Sequence, residues 1–120
     1  MTDELADLEH ALDVALKADF ASVPGAGKEE DLLTVSRIHN KVDVLDHRVL
    51  TPFDAAQQHR AQGHTSPVGW LEHNTHSHGD DAARRRRLSR RLRHHPIAEE
   101  AMADGEITAR HIDVLDKARR

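Results

Sequence analysis

Apolar residues recur along the first part of the chain at every third or fourth position, which is the spacing of one helix face. The first run consists of Leu5, Leu8, Leu12, Leu16 and Phe20. It predicts a helix from about Asp3 to Ala21, capped at its start by the Thr2 hydroxyl. Residues 22–28 contain one proline and two glycines, which should end this helix because both residue types interrupt helical backbone.

A second apolar run alternates spacings of three and four residues, the heptad pattern of packed helices. It can be extended to Ala56, and its main members are Val35, Ile38, Val42, Leu45 and Val49. The run predicts a long helix from about Glu29 to Gln62. Pro52 should kink or split this helix, since proline lacks an N–H donor and crowds the preceding turn. We expect the apolar seam to pack within the molecule, with a homodimer through the 29–62 helix as the alternative.

Start and stop patterns divide the second half of the chain into shorter helices. Ser66 followed by Pro67 is a strong helix start, because serine caps the first turn and proline suits the first helical position. This helix carries Trp70, which we expect to be a core anchor. It should end near Thr75, before a turn over residues 76–79.

Another helix should begin at Asp80, where a carboxylate favours the positive end of the helix dipole. It should end at about His95, because a residue before proline avoids helical backbone. A short helix ending at Gly105, and a last one capped by Thr108, complete the chain. No strand pattern appears anywhere in the sequence.

The sequence therefore predicts an all-α fold, a helical bundle with one long kinked helix and a helix-turn-helix-like pair. Its 120 residues are enough for one small domain. Because there are only two phenylalanines and one tryptophan, the core should be aliphatic, which suits packed helices. We expect residues 1–62 to supply the two N-terminal helices and residues 64–120 the helix-turn-helix-like pair and the helices after it.

Several functional classes are disfavoured by composition. The chain has no cysteine, which excludes disulfides and thiolate catalysis. The acidic N-terminus lacks an apolar signal segment, and no apolar run approaches membrane length. No phosphate-binding loop or nucleophile elbow appears. We therefore expect a cytoplasmic protein that is not an enzyme by itself, with no cofactor and no membrane partner.

Charge is distributed unevenly along the chain. Residues 1–58 hold 12 acidic and 5 basic residues, a balance of −7, whereas residues 59–120 hold 9 acidic and 12 basic residues, a balance of +3. Seven arginines lie between Arg84 and Arg93, with no acidic residue among them. A local cationic surface on an acidic chain points to an anionic partner.

A histidine-rich segment precedes the arginines and offers a weak metal candidate. Its histidines are His73, His76 and His78. Zinc needs three or four converging ligands on a rigid frame, and these residues fit none of the usual spacings, so we expect surface histidines there. The letters EHNTH resemble an HNH nuclease motif, but that motif needs two strands and a helix around a metal, which an all-α segment does not supply.

On a helical wheel of about 100° per residue, the arginine-rich helix divides into two faces. The arc expected to anchor it holds Ala82, Leu88, Ser89, Leu92 and His95. Outside that arc or at its margins lie Arg84, Arg86, Arg87, Arg90, Arg91 and Arg93. Only Arg85 intrudes into the anchoring arc, where its aliphatic stem can still pack.

Two interpretations of the cationic face remain open. A helix that follows another after a short glycine-containing turn has the outline of a helix-turn-helix, whose second helix enters the major groove of DNA. Arginine binds phosphates and guanine edges, so this pattern predicts duplex DNA binding through the six arginines. The alternative is that the arginines meet the acidic N-terminal half, within the chain or across a dimer.

The second half also resembles a known family. The segment QGHTSPVGWLEHNT is similar to a Gly-His-x-Ser-x-x-x-Trp-Leu block, and DDAARRRRLSRRLRHHPIAEEAMADGEITARHIDVL is similar to the arginine-rich helix and Gly-Glu-Ile-Thr block that follow it. The family is the bacterial domain-of-unknown-function family 222, and the similarity covers about Gln57 to Leu115. The chain departs from the family pattern at Pro52, at the turn THSHGDD and at His95.

This resemblance implies a helical module that precedes an HNH endonuclease module in one polypeptide. In the family, the cleaving residues lie far downstream of the helical region, and that region is longer than 120 residues. We therefore expect this chain to be an N-terminal portion or a short relative, without catalytic residues of its own.

Overall fold

The computed structural model describes residues 1–76 and 78–119, without the side chains of Asp113, Asp116 and Arg119. Within these ranges the chain forms helices and no strand, so the predicted all-α fold class is confirmed. The helices are α1 (Asp3–Ala15), α2 (Gly25–Ala55), α3 (Gln58–Ala61), α4 (Pro67–Thr75), α5 (Gly79–Arg93), α6 (Pro96–Ala103) and α7 (Ala109–Arg119). None of these described helices has both the length and the apolar character needed to cross a membrane.

Two compact units divide the chain, Met1–Thr34 and Val35–Arg120. The domain boundaries predicted from the sequence stay a prediction. All contacts that bear on the arginine-rich helix lie in the second unit.

Helix α1 begins as predicted, because the Thr2 hydroxyl accepts a hydrogen bond from a backbone N–H of the first turn. It ends at Ala15, well before the predicted end at Ala21. The reason lies in Asp19, whose carboxylate accepts hydrogen bonds from the backbone N–H groups of Ala21 and Ser22. Such a local turn competes with helical backbone, and the apolar spacing alone did not indicate it.

Helix α2 passes through Pro52 and ends at Ala55. The single helix predicted to reach Gln62 is therefore split, but beyond Pro52 rather than at it. One more turn closes after the proline, where the Ala56 N–H donates to the Pro52 carbonyl over 3.0 Å. The break comes at Gln57, whose φ of 53° lies in the left-handed region and cannot continue an α-helix.

The apolar seam of α2 lies largely at the surface, so the expectation that it packs within the molecule is wrong. Four of its members keep 38–49 % of their area exposed: Val35, Ile38, Val42 and Val49. The buried residues of α2 are instead Val44, His47 and Leu50. At about 100° per residue, these three lie on the side of the helix opposite to the seam. Sequence reasoning chose the more apolar face, whereas α5 and α6 cover the more polar one.

Helix α4 begins where the sequence predicts. The Ser66 hydroxyl accepts a hydrogen bond from the Gly69 N–H over 3.1 Å, and Pro67 occupies the first helical position. The helix ends at Thr75. Helix α5 begins four residues after the end of α4, so the two helices follow each other as predicted, and the helix-turn-helix likeness of the pair stays a prediction.

Helix α5 begins at Gly79, one residue before the predicted start. The His78 ring acts as its cap, because Nδ1 accepts a hydrogen bond from the Asp80 N–H over 3.2 Å, a role more often taken by serine or aspartate. The helix ends at Arg93, slightly short of the prediction. Ser77, within the predicted turn, lies outside the described residues.

Two apolar clusters form the core of the second unit, and α5 contributes to both. The first cluster consists of Val44, Leu92, Met102 and Ile112, with Leu88 packed against it. The second consists of Leu50, Leu71 and Ala82, with Phe53, Val68 and Trp70 packed against it. The Trp70 ring is half-buried and lies 4.8 Å from the Phe53 ring, centre to centre. Helix α5 is thus the element around which the unit is assembled.

Helix α6 ends in a Schellman motif at Gly105. The Glu106 N–H donates to the Ala101 carbonyl and the Gly105 N–H to the Met102 carbonyl, over 2.9 and 3.0 Å. Gly105 has a φ of 82°, and a Cβ added there would lie 3.2 Å from Cγ of Arg37. Both the backbone conformation and the neighbouring side chain therefore favour glycine at this position.

We predict that Gly105→Ala lowers the free energy of unfolding by about 1–3 kcal/mol, because an alanine must adopt left-handed backbone and displace Arg37. The measurement is urea denaturation followed by circular dichroism. Gly25→Ala is the matched control, since φ there is ordinary and nothing lies within 4 Å of the added Cβ. Equal effects of the two substitutions would contradict the prediction.

Candidate nucleic-acid interface

The inward face of α5 is narrow. Ala82, Ser89 and Leu92 keep 0, 2 and 1 % of their area exposed, and Leu88 and His95 are half-buried. These are the five residues that the helical wheel places in one arc. They offer little apolar area for a helix of 15 residues, so other contacts must also hold it in place.

An ion pair provides the strongest of those contacts. Arg85 donates two hydrogen bonds to the carboxylate of Asp46 on α2, Nε to Oδ2 over 2.8 Å and Nη2 to Oδ1 over 2.6 Å. Both side chains are partly buried, with 35 and 25 % of their area exposed. The bonds to Asp46 raise the pKa of Arg85 above its usual value. A two-bond arginine–carboxylate pair is directional, so it fixes the rotation of α5 about its own axis.

A second carboxylate of α2 holds two more arginines. Asp54 lies 3.4 Å from Nη2 of Arg93 and 3.9 Å from Nη2 of Arg86, and only 19 % of its side chain is exposed. The Nε of Arg86 is buried and has no hydrogen-bond partner among the described residues. Two of the six arginines predicted to contact DNA therefore lie against an internal carboxylate.

The outward side of α5 carries Arg84, Arg87 and Arg90, which we call the outer arginines. All three are exposed, and they lie within an arc of about 120° about the helix axis. Within residues 1–76 and 78–119, Arg87 and Arg90 form no hydrogen bond or ion pair. Arg91 lies within the same arc, but it is half-buried and has a partner within the chain.

Arg84 is electrostatically coupled to a third carboxylate of α2. Burial raises the pKa of Asp43, and the nearby Arg84 guanidinium acts in the opposite direction, whereas the neighbouring Asp46 adds to the increase. Asp43, Asp46 and Asp54 thus form an acidic row along the side of α2 that faces α5. Sequence reasoning did not single out this row, although it predicted an acidic N-terminal half.

A buried polar cluster connects α2, α5 and α6. His47 Nδ1 lies 2.9 Å from the Ser89 hydroxyl and 3.3 Å from that of Thr51. His47 Nε2 lies 3.7 Å from a Glu99 oxygen, and Glu99 accepts a hydrogen bond from Arg48 Nε over 2.7 Å. The order serine, histidine, carboxylate has the outline of a hydrolase triad. The Ser89 hydroxyl, however, is buried between helices, where a substrate has no access, so the cluster joins helices rather than performing hydrolysis.

The histidine-rich segment is spread over separate positions. His73 lies exposed on α4, with its ring 5.3 Å from that of His64. His76 follows α4 with a φ of 55°, and His78 caps α5. In the part of the chain that the structure describes, no three histidine, aspartate or glutamate side chains are grouped so as to hold a metal ion.

We predict that His47 makes the fold less stable in mild acid. Burial lowers the pKa of His47 below its ordinary value of 6.5, with Glu99 acting in the opposite direction. The unfolded chain therefore binds a proton that the folded chain resists, and stability is lost as pH falls through 6.5 toward the lower folded pKa. The measurement is the urea midpoint between about pH 7.5 and 5.5, where His47→Gln should flatten the pH dependence.

The control for that experiment is His10→Gln, which removes an exposed histidine of α1. Because His10 is exposed and lies outside the buried polar cluster, the variant should keep the pH dependence of the native chain. A His47→Gln variant whose midpoint falls with pH as steeply as that of the native chain would rule out the assignment to His47.

Comparison with known proteins returns no relative for this chain: no family model, no curated protein and no solved structure matches it. The resemblance described above therefore depends on the quoted segments alone. The features of this chain that bear on its function are α5, its arginines and the carboxylates of α2 that face them.

Proposed function

We propose that this chain is a non-catalytic helical module that binds duplex DNA through the outer arginines. The observation that carries the proposal is that Arg87 and Arg90 are exposed and have no partner among the described residues. They lie on a helix whose orientation is fixed from behind by Leu92 and by the pair of Arg85 with Asp46. Held guanidinium groups without an internal counterion are available to phosphate oxygens.

The proposed DNA contacts are fewer than the six arginines predicted from the sequence. Arg84, Arg87 and Arg90 are the direct contacts, and Arg91 is a marginal one. Arg86 and Arg93 position the helix through Asp54. The three outer arginines span about 9 Å along the helix at a rise of 1.5 Å per residue, which fits within a major groove about 12 Å wide.

Duplex DNA is favoured over single strands by the scarcity of aromatic side chains. Binding of single strands usually depends on bases stacked on exposed aromatic rings. Two of the three large aromatics, Phe53 and Trp70, pack against each other, and neither lies on α5. The outward face of α5 therefore offers charge without a stacking platform.

We further propose, from the resemblance of residues 57–115 to family 222, that the module works alongside an HNH endonuclease. Cleavage would come from a separate catalytic module, and this chain would supply DNA affinity. The cytoplasm, where bacterial DNA lies, is the corresponding location.

A second candidate function is protein interaction through α2. The observation that favours it is the exposure of the apolar seam, in which Val35 and Val49 keep 45 and 49 % of their area exposed. Such a module would associate with itself or another protein and be indifferent to DNA. The seam lies on the side of α2 opposite to α5, so the two functions are compatible as well as separable.

We expect the native chain to bind a duplex oligonucleotide of about 20 base pairs with an affinity that falls steeply with salt, because each neutralised phosphate releases a counterion. The double variant Arg87→Gln, Arg90→Gln should reduce the slope of log K against log salt by about 2 and weaken binding at low salt by at least about tenfold. Fluorescence anisotropy over a salt series measures both quantities.

The matched control is Lys17→Gln, Arg60→Gln, which removes the same charge from exposed residues outside α5. It should retain nearly native affinity and slope. If the native chain does not bind at low ionic strength, or if both double variants lose affinity equally, binding through the outer arginines is refuted.

A further inference from the structure

The exposed seam of α2 has the residue pattern of a two-stranded coiled coil. One heptad position, a, is occupied by Val35, Val42 and Val49, and the other, d, by Ile38 and Leu45. Valine at a with leucine at d favours two parallel strands, and the seam has valine at all three a positions and leucine at one of its two d positions. The pattern thus specifies a partner with the same heptad chemistry, and another copy of this chain provides it.

The seam is already in the conformation that such a partner requires. Val44, His47 and Leu50 hold the opposite side of α2 in the core. The helix therefore does not have to fold on binding, and association avoids the entropy cost of ordering a free segment. A contiguous apolar stripe of this kind on a rigid helix is typical of an interaction surface.

The charges that flank the seam distinguish between the two possible orientations. Lys41 and Arg48 lie along one edge, and His39 and Asp46 along the other. In a parallel pair, Lys41 of one copy faces Asp46 of the other copy, since residues at positions g and e of successive heptads meet. In an antiparallel pair, Lys41 meets Arg48, and like charges repel. The Asp46 side chain keeps 25 % of its area exposed beside Arg85, so it can also form an ion pair with Lys41 of the second copy.

We propose that residues 35–49 of α2 form a parallel two-stranded coiled coil with a second copy of this chain. Since α5 lies on the opposite side of α2 from the seam, the two α5 helices would lie on the outer sides of the dimer. This consequence rests on the proposed DNA-binding function: one dimer would present two sets of outer arginines. The self-association itself does not depend on DNA.

Sedimentation equilibrium of the full chain tests the association. We expect a concentration-dependent dimer, and Val42→Glu should raise its dissociation constant by about a hundredfold, because it removes two buried valines and adds two facing charges. The control is Ile97→Glu, which makes a similar change at a residue of α6 that is 83 % exposed, and it should leave the dimer intact. A monomeric native chain, or a dimer that withstands Val42→Glu, overturns the proposal.

Orientation is tested with a single cysteine, since the native chain has none. In a parallel pair the two copies of residue 35 are adjacent, so Val35→Cys should oxidise to a covalent dimer. In the antiparallel pair in which Lys41 meets Arg48, a positions face d positions, so Ile38 lies opposite Val49 and the two copies of residue 35 are about 25 Å apart at 1.5 Å per residue. A dimer that does not cross-link through Val35→Cys, but does so when Ile38→Cys and Val49→Cys chains are mixed, overturns the parallel register.

The DNA titration distinguishes the proposed self-association through the seam from the proposed DNA binding through the outer arginines. A Val42→Glu monomer that still binds DNA, with the outer-arginine dependence intact, supports a seam that is distinct from the DNA surface. A native dimer that ignores DNA overturns DNA binding and leaves the coiled coil standing. A native monomer that binds DNA overturns the coiled coil and leaves the proposed DNA binding standing.

Discussion

Helix α5 depends on the carboxylates of α2 for its place in the fold. Seven of its 15 residues are arginines, and its fully buried contacts are limited to the small residues Ala82 and Ser89 and the single large one, Leu92. So little apolar area holds a charged helix only if its inward charges are matched, because an unpaired buried charge costs several kcal/mol. Asp46 and Asp54 provide the match through Arg85, Arg86 and Arg93.

The positions of the α2 carboxylates also determine which arginines of α5 are structural. A carboxylate within reach turns a guanidinium into a structural group, whereas a guanidinium beyond reach remains free to meet an external anion. The acidic row lies on the side of α2 that faces α5, and it leaves Arg87 and Arg90 without an ion-pair partner in the part of the chain that the structure describes. Arg85, Arg86 and Arg93 therefore meet carboxylates of the acidic half, and the DNA contact that we propose is confined to the outer arginines.

Local features of the chain were predictable, whereas tertiary pairing was not. The cap at Ser66, the stop before Pro96 and the buried arc of α5 follow from backbone chemistry and helical periodicity, which act within a few residues. The end of α1 was missed because Asp19 forms a local turn that apolar spacing does not record. The acidic row and the His47 cluster were missed because their partners lie about 40 positions away in the sequence. The periodicity of one helix does not indicate which distant residues its polar side chains contact.

The sequence pattern predicted burial of the wrong face of α2. That helix carries two periodic patterns on opposite sides, a strongly apolar one through Val42 and a mixed one through Val44, His47 and Asp54. Hydrophobicity alone selects the first for burial. The neighbouring helix, however, is cationic, and a cationic surface is matched better by a face that combines apolar residues with carboxylates. The chemistry of the partner, rather than the apolar content of the helix itself, therefore determines which face is buried. The apolar pattern left outside is the face on which the proposed coiled coil would form.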